Sequence, residues 1–167
     1  MAEYWDLYDA SYHRTGELMK RGDPVPEGLR HLVVQIWIRD DAGRFLIAQR
    51  HPNKSYGLWW ETTGGAVTAG EDSLTGAQRE LAEELGIYLP KERFHFLGTL
   101  ADGNSKAIDD VYEVRWNGGE DELKLQETEV VDAKWVDYDE LCAIREKGNF
   151  VVCLDRHRKW IDPERAR

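Results

Sequence analysis

The chain has 167 residues, of which 41% are hydrophobic and 32% are charged, and its formal net charge is −10 at pH 7. This length and balance are typical of one globular domain with a single core. The negative charge argues against nucleic acid and anionic membranes as partners, because neither would find a basic surface to bind. A phosphorylated substrate would need divalent cations to offset the same repulsion.

The N-terminus lacks the basic and apolar stretch of a secretion signal. The longest apolar run, Leu32 to Ile38, is too short to span a membrane. We therefore expect a cytoplasmic protein. We also expect a single domain over residues 1–167, with a lead-in at 1–28, a core at 29–147 and a C-terminal extension at 148–167.

Strands are predicted where β-branched and aromatic residues lie between turn signals. The first, Leu32–Ile38, is joined through Asp40–Gly43 to a second at Arg44–Arg50, as in a hairpin. The loop Asp102–Lys106 has a composition suited to covering a substrate. The remaining predicted strands are Phe94–Ala101, Ile108–Trp116 and Val130–Val136.

The first predicted helix follows a glycine-rich loop. Its apolar residues recur every three or four positions, Asp72 or Ser73 can cap its start, and Gly86 suits a left-handed residue after its end. The apolar stripe consists of Leu74, Ala77, Leu81 and Leu85.

Two further helices are expected near the C-terminus. Asp137 can cap a helix over Tyr138–Lys147 that Gly148 ends, and a weakly patterned helix begins at about Leu154. Strands that alternate with helices indicate a mixed sheet flanked by helices.

Three glutamates lie close together on the first predicted helix. Glu80, Glu83 and Glu84 are spaced so that they share one face beside the apolar stripe. A solvated acidic face is a common explanation, with the adjacent Arg79 relieving part of the repulsion. Glu71, however, precedes the helix within a loop of small residues, where a backbone carbonyl can approach a cation. Carboxylate and carbonyl oxygens are ligands of Mg²⁺, so the segment predicts a metal site for a phosphorylated ligand.

The same segment resembles the signature of the Nudix hydrolase family. The stretch Gly65-x5-Glu71-x7-Arg79-Glu80-Leu81-x-Glu83-Glu84-x-Gly86-Ile87 fills every defined position of the Nudix box. The resemblance implies an α/β/α sandwich with a mixed β-sheet, in which the box forms a loop–helix–loop. It also implies a hydrolase that cleaves a phosphoanhydride with water, using Mg²⁺ or, as the alternative ion, Mn²⁺.

The resemblance also implies roles for residues of the box. Glu80, Glu83 and Glu84 would be the main metal ligands, with the Gly65 carbonyl as a further candidate. Arg79 would orient the carboxylates through a salt bridge. Glu71 would support the site or bind a second metal.

Candidate substrate residues lie outside the box. Arg50 occupies a position where relatives often contact a phosphate, and Trp60 could present its indole to a base. Glu127 and Glu129 lie in a region that supplies the general base in some family members, with a box glutamate as the alternative. Each also has an ordinary explanation as surface charge or core packing. The expected ligand is a small phosphorylated metabolite, in the first place a nucleotide, and dimers are frequent in the family.

Two alternatives stay open. The lead-in Trp5–Asp9 and the stretch Phe45–Arg50 are similar to those of Nudix proteins related to isopentenyl-diphosphate isomerase. The isomerase's catalytic cysteine falls on Gly64, and of its metal-binding histidines only His31 is present, which weakens that reading. A non-catalytic Nudix module that binds a ligand is the other alternative, although such modules are expected to lose box glutamates, which this chain keeps.

Overall fold

The computed structural model describes residues 1–101, 105–152 and 154–162. Residues 102–104 of the predicted covering loop lie outside these ranges. The helices are Ser73–Leu85 (α1), Tyr138–Glu146 (α2) and Leu154–Ile161 (α3). The strands are Tyr4–Tyr8 (β1), Arg14–Lys20 (β2), Arg30–Arg39 (β3), Phe45–Arg50 (β4), Trp60–Glu61 (β5), Thr63–Ala66 (β6), His95–Leu100 (β7), Ala107–Arg115 (β8) and Val130–Val136 (β9).

Strand β3 organises the sheet. One of its edges pairs in parallel with β8, from His31 opposite Ala107 to Arg39 opposite Arg115. Its other edge is shared by β1, β6 and β4, which are all antiparallel to it. The predicted mixed sheet with helices is therefore confirmed.

Helix α1 packs on this sheet as its sequence pattern predicts. Asp72 caps its start by accepting a hydrogen bond from the Thr75 N–H at 2.7 Å. Gly86 follows its end with φ 69°, a left-handed conformation that favours glycine. The predicted apolar stripe is buried in the main core at Ala77, Leu81 and Leu85. Because the apolar stripe faces the sheet, the glutamates of the helix lie beside this core, at its edge.

The lead-in differs from the prediction, because it forms the hairpin β1–β2. Most of β2 is exposed, so it carries little of the apolar alternation that reveals a strand. The hairpin binds the box loop instead: the Ala69 N–H donates to the Tyr4 carbonyl and the Gly70 N–H to Asp6 Oδ2, each at 2.8 Å. Arg14 of β2 also donates to the Glu71 carbonyl.

The start of the glycine-rich loop differs as well, because Thr63–Ala66 forms the short strand β6. Its pairing with β3 places Gly64 opposite Gln35 and Gly65 opposite Val34. Backbone pairing with a distant strand leaves no local sequence pattern, which is why this strand is absent from the prediction.

The C-terminal helices follow the prediction closely. Asp137 caps α2 by accepting from the Glu140 N–H at 2.8 Å. Helix α3 buries Leu154, His157 and Ile161 on one face. Within the described part of the chain, no helix is long and apolar enough to cross a membrane.

Candidate active site

A cavity of about 560 Å³ opens over one face of β3. Its floor includes the alternate residues His31, Val33 and Gln35 of that strand. The box borders it through Gly64 and Gly65 of β6 and through acidic residues of α1. The hairpin β1–β2 and helix α3 also contribute to its lining. Gly65, Arg79, Glu80, Glu83 and Glu84 of the predicted box therefore line the cavity. Glu71 does not line it and reaches the group through its contact with Arg79.

Arg79 contacts several of the acidic residues of the box. Its Nη1 donates to Glu80 Oε1 at 2.8 Å and to Glu83 Oε2 at 3.1 Å. Its Nε donates to Glu71 Oε1 at 3.0 Å, and its Nη2 donates to the Ala66 carbonyl at 3.1 Å. These contacts raise the pKa of Arg79, although burial alone would lower it. Hydrogen bonds from Arg79 and Thr68 likewise outweigh burial and lower the pKa of Glu71, so Glu71 is ionised.

Glu84 has a different environment. Its side chain is buried, with the residue only 4% exposed, and the hydrogen bond recorded for it is a long one of 3.4 Å from the Gly64 N–H. Burial raises the pKa of Glu84 to about 8, and the nearby carboxylates of Glu80 and Glu61 add to the rise. A buried carboxylate without a contacting cation is costly to ionise, so this position calls for a positive ligand.

The carboxylate groups of the box do not converge on a common point in this structure. Among the described residues, no group of three Asp, Glu, His or Cys side chains is set to hold an ion. The reason is visible in the contacts: Glu80 and Glu83 are drawn to the Arg79 guanidinium, whereas Glu84 faces the backbone of β6. Metal binding here requires these side chains to turn.

Two glycines let β6 lie between β3 and the glutamates. A Cβ atom at Gly65 would be 2.6 Å from the Glu80 carboxyl carbon, and one at Gly64 would be 2.1 Å from the Val34 carbonyl oxygen. Only hydrogen fits at Gly64, because its neighbour is backbone, whereas a side chain at Gly65 would force the Glu80 carboxylate to move. A cysteine at position 64, which the isomerase reading requires, would therefore displace the β3–β6 pair.

Gly64→Ala is expected to destabilise the protein by about 1–3 kcal/mol, because the methyl group would meet backbone that cannot rotate away. Gly119→Ala is the matched control, since a Cβ there would meet the movable Oδ1 of Asp121. Urea unfolding of the two variants would check this. Equal stability of both variants would contradict the tight β3–β6 contact.

Further charged residues line the cavity opposite the box. Arg50 Nη1 contacts Glu61 Oε2 at 2.6 Å, and both side chains are largely buried. Burial raises the pKa of Glu61 despite this ion pair. Lys54 pairs with Glu129, whose other oxygen lies 3.9 Å from Arg21 Nη2. Arg21 in turn contacts Glu3 at 2.9 Å, so a chain of ion pairs connects the N-terminal hairpin to the far wall.

The predicted substrate residues separate into two groups. Arg50 and Glu129 line the cavity, whereas Trp60 and Glu127 do not. The Trp60 ring packs against the second core cluster, with Lys134 Nζ 4.9 Å from its centroid. Glu127 is exposed. Arg50 and Glu129 therefore keep a geometric basis as substrate residues.

Comparison with known proteins shows the family of this chain. Residues 29–153 match the NUDIX domain family. The chain belongs to the Nudix family. An uncharacterized Nudix hydrolase of Listeria monocytogenes is 32% identical over 157 residues, which cover 89% of this chain and 88% of that protein. The expected family and a hydrolase activity are thereby confirmed.

Solved structures show the same Nudix fold. A crystal structure of a Deinococcus radiodurans protein has a TM-score of 0.74 at 24% identity, over 88% of this chain and 91% of that one. A Francisella tularensis bifunctional NMN adenylyltransferase/ADP ribose pyrophosphatase, complexed with AMP and a manganese ion, has a TM-score of 0.57 at 20% identity. The match covers 69% of this chain and 36% of that one. At these identities the comparison supports the fold.

Sequence reasoning missed several residues around this Nudix box. Glu61, Lys54 and Arg21 line the cavity but were not among the predicted site residues. Trp5 lines it too, with its ring stacked on His31 at a centroid distance of 4.5 Å. The only local indication for Glu61 was its position, as a charged residue directly before the Thr62–Gly65 stretch. The others come from segments that reach the cavity only through the fold.

Proposed function

We propose that this Nudix hydrolase uses Mg²⁺, or Mn²⁺, to cleave a phosphoanhydride bond in a nucleoside di- or triphosphate or a related nucleoside diphosphate-linked metabolite. The observation that carries the proposal is the set of glutamates beside Arg79 at the wall of a large cavity. A cytoplasmic location and a homodimer stay predictions from the sequence.

The residues present fit a divalent metal. Glu84 is a buried carboxylate that contacts no cationic side chain among the described residues, and Glu80 is largely buried beside it with a pKa that burial raises. Carboxylate oxygens are the ligands that Mg²⁺ prefers. Glu80, Glu83 and Glu84 would hold the ion, with the Gly65 carbonyl as a further ligand and Glu71 as support or as a ligand of a second metal. When bound, the metal would offset the charge of the pyrophosphate and favour attack by water.

The protein's own groups have separate tasks in this proposal. Arg79 keeps Glu71 ionised and holds Glu80 and Glu83 in place until they turn to a cation. Glycine at position 65 leaves the space in front of Glu80 open. Glu129 lies on the opposite side of the cavity as a candidate base, where Lys54 holds its carboxylate. A glutamate of the box is the alternative base.

A nucleotide is favoured by two observations. The cavity carries an aromatic side chain, Trp5, together with several cationic ones. The Francisella tularensis protein of the same fold was crystallised with AMP and manganese, which supports the same class of ligand here. The isomerase alternative loses support, because Gly64 has no room for the required thiol.

A screen for phosphate release, coupled to a phosphatase, tests the proposal. The panel contains nucleoside di- and triphosphates, nucleotide sugars, dinucleotides and prenyl diphosphates, each with Mg²⁺, Mn²⁺ or EDTA. We expect turnover of at least one nucleotide that requires the metal. Glu83→Gln serves as the blank, because Glu83 is half-exposed and its replacement should leave the fold intact.

The alternatives predict different outcomes. A binding module would bind a nucleotide without releasing phosphate, and Glu83→Gln would change affinity alone. An isomerase would convert isopentenyl diphosphate without releasing phosphate. If the folded, Mg²⁺-bound protein released no phosphate from any compound of the panel, the proposed substrate class would be contradicted.

A further inference from the structure

The cavity is completed by chain segments on both sides of the matched Nudix domain. The domain match covers residues 29–153, yet Glu3, Trp5 and Arg21 line the cavity from the N-terminal side. Arg156 and His157 line it from helix α3, beyond the match. Substrate contacts made by these segments would come from outside the matched domain.

Most cationic side chains of the cavity already have a carboxylate partner. These pairs are Arg21 with Glu3, Arg50 with Glu61, Lys54 with Glu129, and Arg79 with Glu71, Glu80 and Glu83. Arg156 is the exception: among the described residues, it has no carboxylate within ion-pair distance. An arginine in an acidic protein that faces a cavity unpaired is available to an anionic ligand.

The position of Arg156 is fixed by the packing of α3. The adjacent His157 is buried, and its Nδ1 accepts a hydrogen bond from Trp37 Nε1 at 3.0 Å. Burial lowers the pKa of His157 to about 4, which keeps it neutral and able to accept this bond. At the other end of the helix, Arg39 Nη2 donates to the Ile161 carbonyl at 2.6 Å. These contacts prevent α3 from rotating about its axis, so the position of Arg156 on the helix is fixed as well.

The geometry of β3 places Arg156 beyond the box. Gly65 and Gly64 pair with Val34 and Gln35, whereas Trp37, which binds the neighbour of Arg156, lies further along the strand. Successive residues on one face of a strand are about 7 Å apart. At the box end of this path, Gln35 carries a buried Oε1 that has no hydrogen-bond partner within the described part of the chain. A polar ligand that extends from the box toward α3 would pass this oxygen before it reaches Arg156.

We propose that Arg156 binds a terminal anionic group of the substrate, one unit beyond the pyrophosphate held at the box. This inference rests on the proposed function and narrows it to substrates with a third phosphate, or an equivalent anion, beyond the cleaved linkage. Trp5 and His31 lie at the opposite end of the β3 floor, which leaves that end for the remainder of the substrate.

Calorimetric titration with inorganic pyrophosphate and tripolyphosphate, both with Mg²⁺, tests the inference. Released phosphate is assayed afterwards, so that turnover is not mistaken for binding. We expect Arg156→Gln to weaken tripolyphosphate binding about 10- to 100-fold, as for the loss of a charged hydrogen bond. Pyrophosphate binding should change less than about twofold. Arg156→Lys should recover part of the loss, because it restores the charge without the planar guanidinium.

Lys159→Gln is the matched control, since it removes one positive charge from an exposed position of the same helix. Equal weakening of both probes, no weakening, the same loss in the control, or failure of the native protein to bind tripolyphosphate would overturn the inference. The probes carry no nucleoside and the measurement is of binding. The result is therefore independent of whether the screen finds a nucleotide substrate.

Discussion

Replacing Glu84 by glutamine is expected to lower kcat by about 10²- to 10⁴-fold, while the protein stays folded. The amide has the shape of the carboxylate but cannot supply the negative charge that a divalent metal requires. Because Glu84 is buried between Glu80 and the backbone of β6, no exposed acid can take its place. Steady-state kinetics with a substrate from the screen would measure kcat, and calorimetry would measure Mg²⁺ affinity.

The control for this variant is Glu127→Gln. It removes the same charge from an exposed residue outside the cavity and should leave kcat within about twofold of the native value. A Glu84→Gln protein that retained native kcat and Mg²⁺ affinity would show that Glu84 serves another purpose.

The metal-free protein is expected to lose stability as the pH rises from about 4.5 to about 8, and Glu84→Gln should remove much of this loss. The pKa of Glu84 is about 8 in the folded protein, against an ordinary value of 4.5. Within this window the folded state retains a proton that the unfolded state has released. The free energy of unfolding therefore falls with pH, by up to about 1.4 kcal/mol per unit.

Urea unfolding in EDTA at several pH values between 5 and 8 would measure this slope in both proteins. Relative to the native protein, Glu84→Gln should become more stable as the pH increases. Saturating Mg²⁺ should reduce the native slope, because a cation replaces the proton as the partner of the carboxylate. Parallel pH profiles of the two proteins in EDTA would contradict the assignment of the raised pKa to Glu84.

The expected losses of activity and of stability both follow from the negative charge of Glu84. The charge that the proposed metal site needs is unfavourable in the folded protein whenever no metal is present. Stability and activity should therefore respond in opposite directions to the loss of the Glu84 charge.

The box and most of the regular structure were predictable from local patterns. Asp72 and Gly86 mark the ends of α1 because capping is decided within a few residues of the chain. Strand β9 has the predicted bounds Val130–Val136, since its valines and tryptophan form a short run between turn signals. The spacing of Glu80, Glu83 and Glu84 likewise required only the helical repeat.

The parts that escaped prediction depend on pairing across the fold. Hairpin β1–β2 is stabilised by its contacts with the box loop, which no local pattern in the lead-in reveals. The burial of Glu84 follows from its position against β6, and the accessibility of Arg156 follows from how His157 binds Trp37. Cavity walls assembled from both ends of the chain cannot be inferred from motif spacing alone.

The parallel pairing of β3 with β8 also determines when this protein can fold. Residues 31–39 have to wait for residues 107–115 before one of their two edges is paired. The box strand and helix lie between these segments in the chain, so they leave the ribosome while that edge is still open. Pairing of such distant segments is slow, because the entropy of closing a long loop is lost before the contacts are gained. A nascent chain stopped before residue 107 would thus present an unpaired, strongly apolar strand, which is the part of this molecule most in need of protection from aggregation.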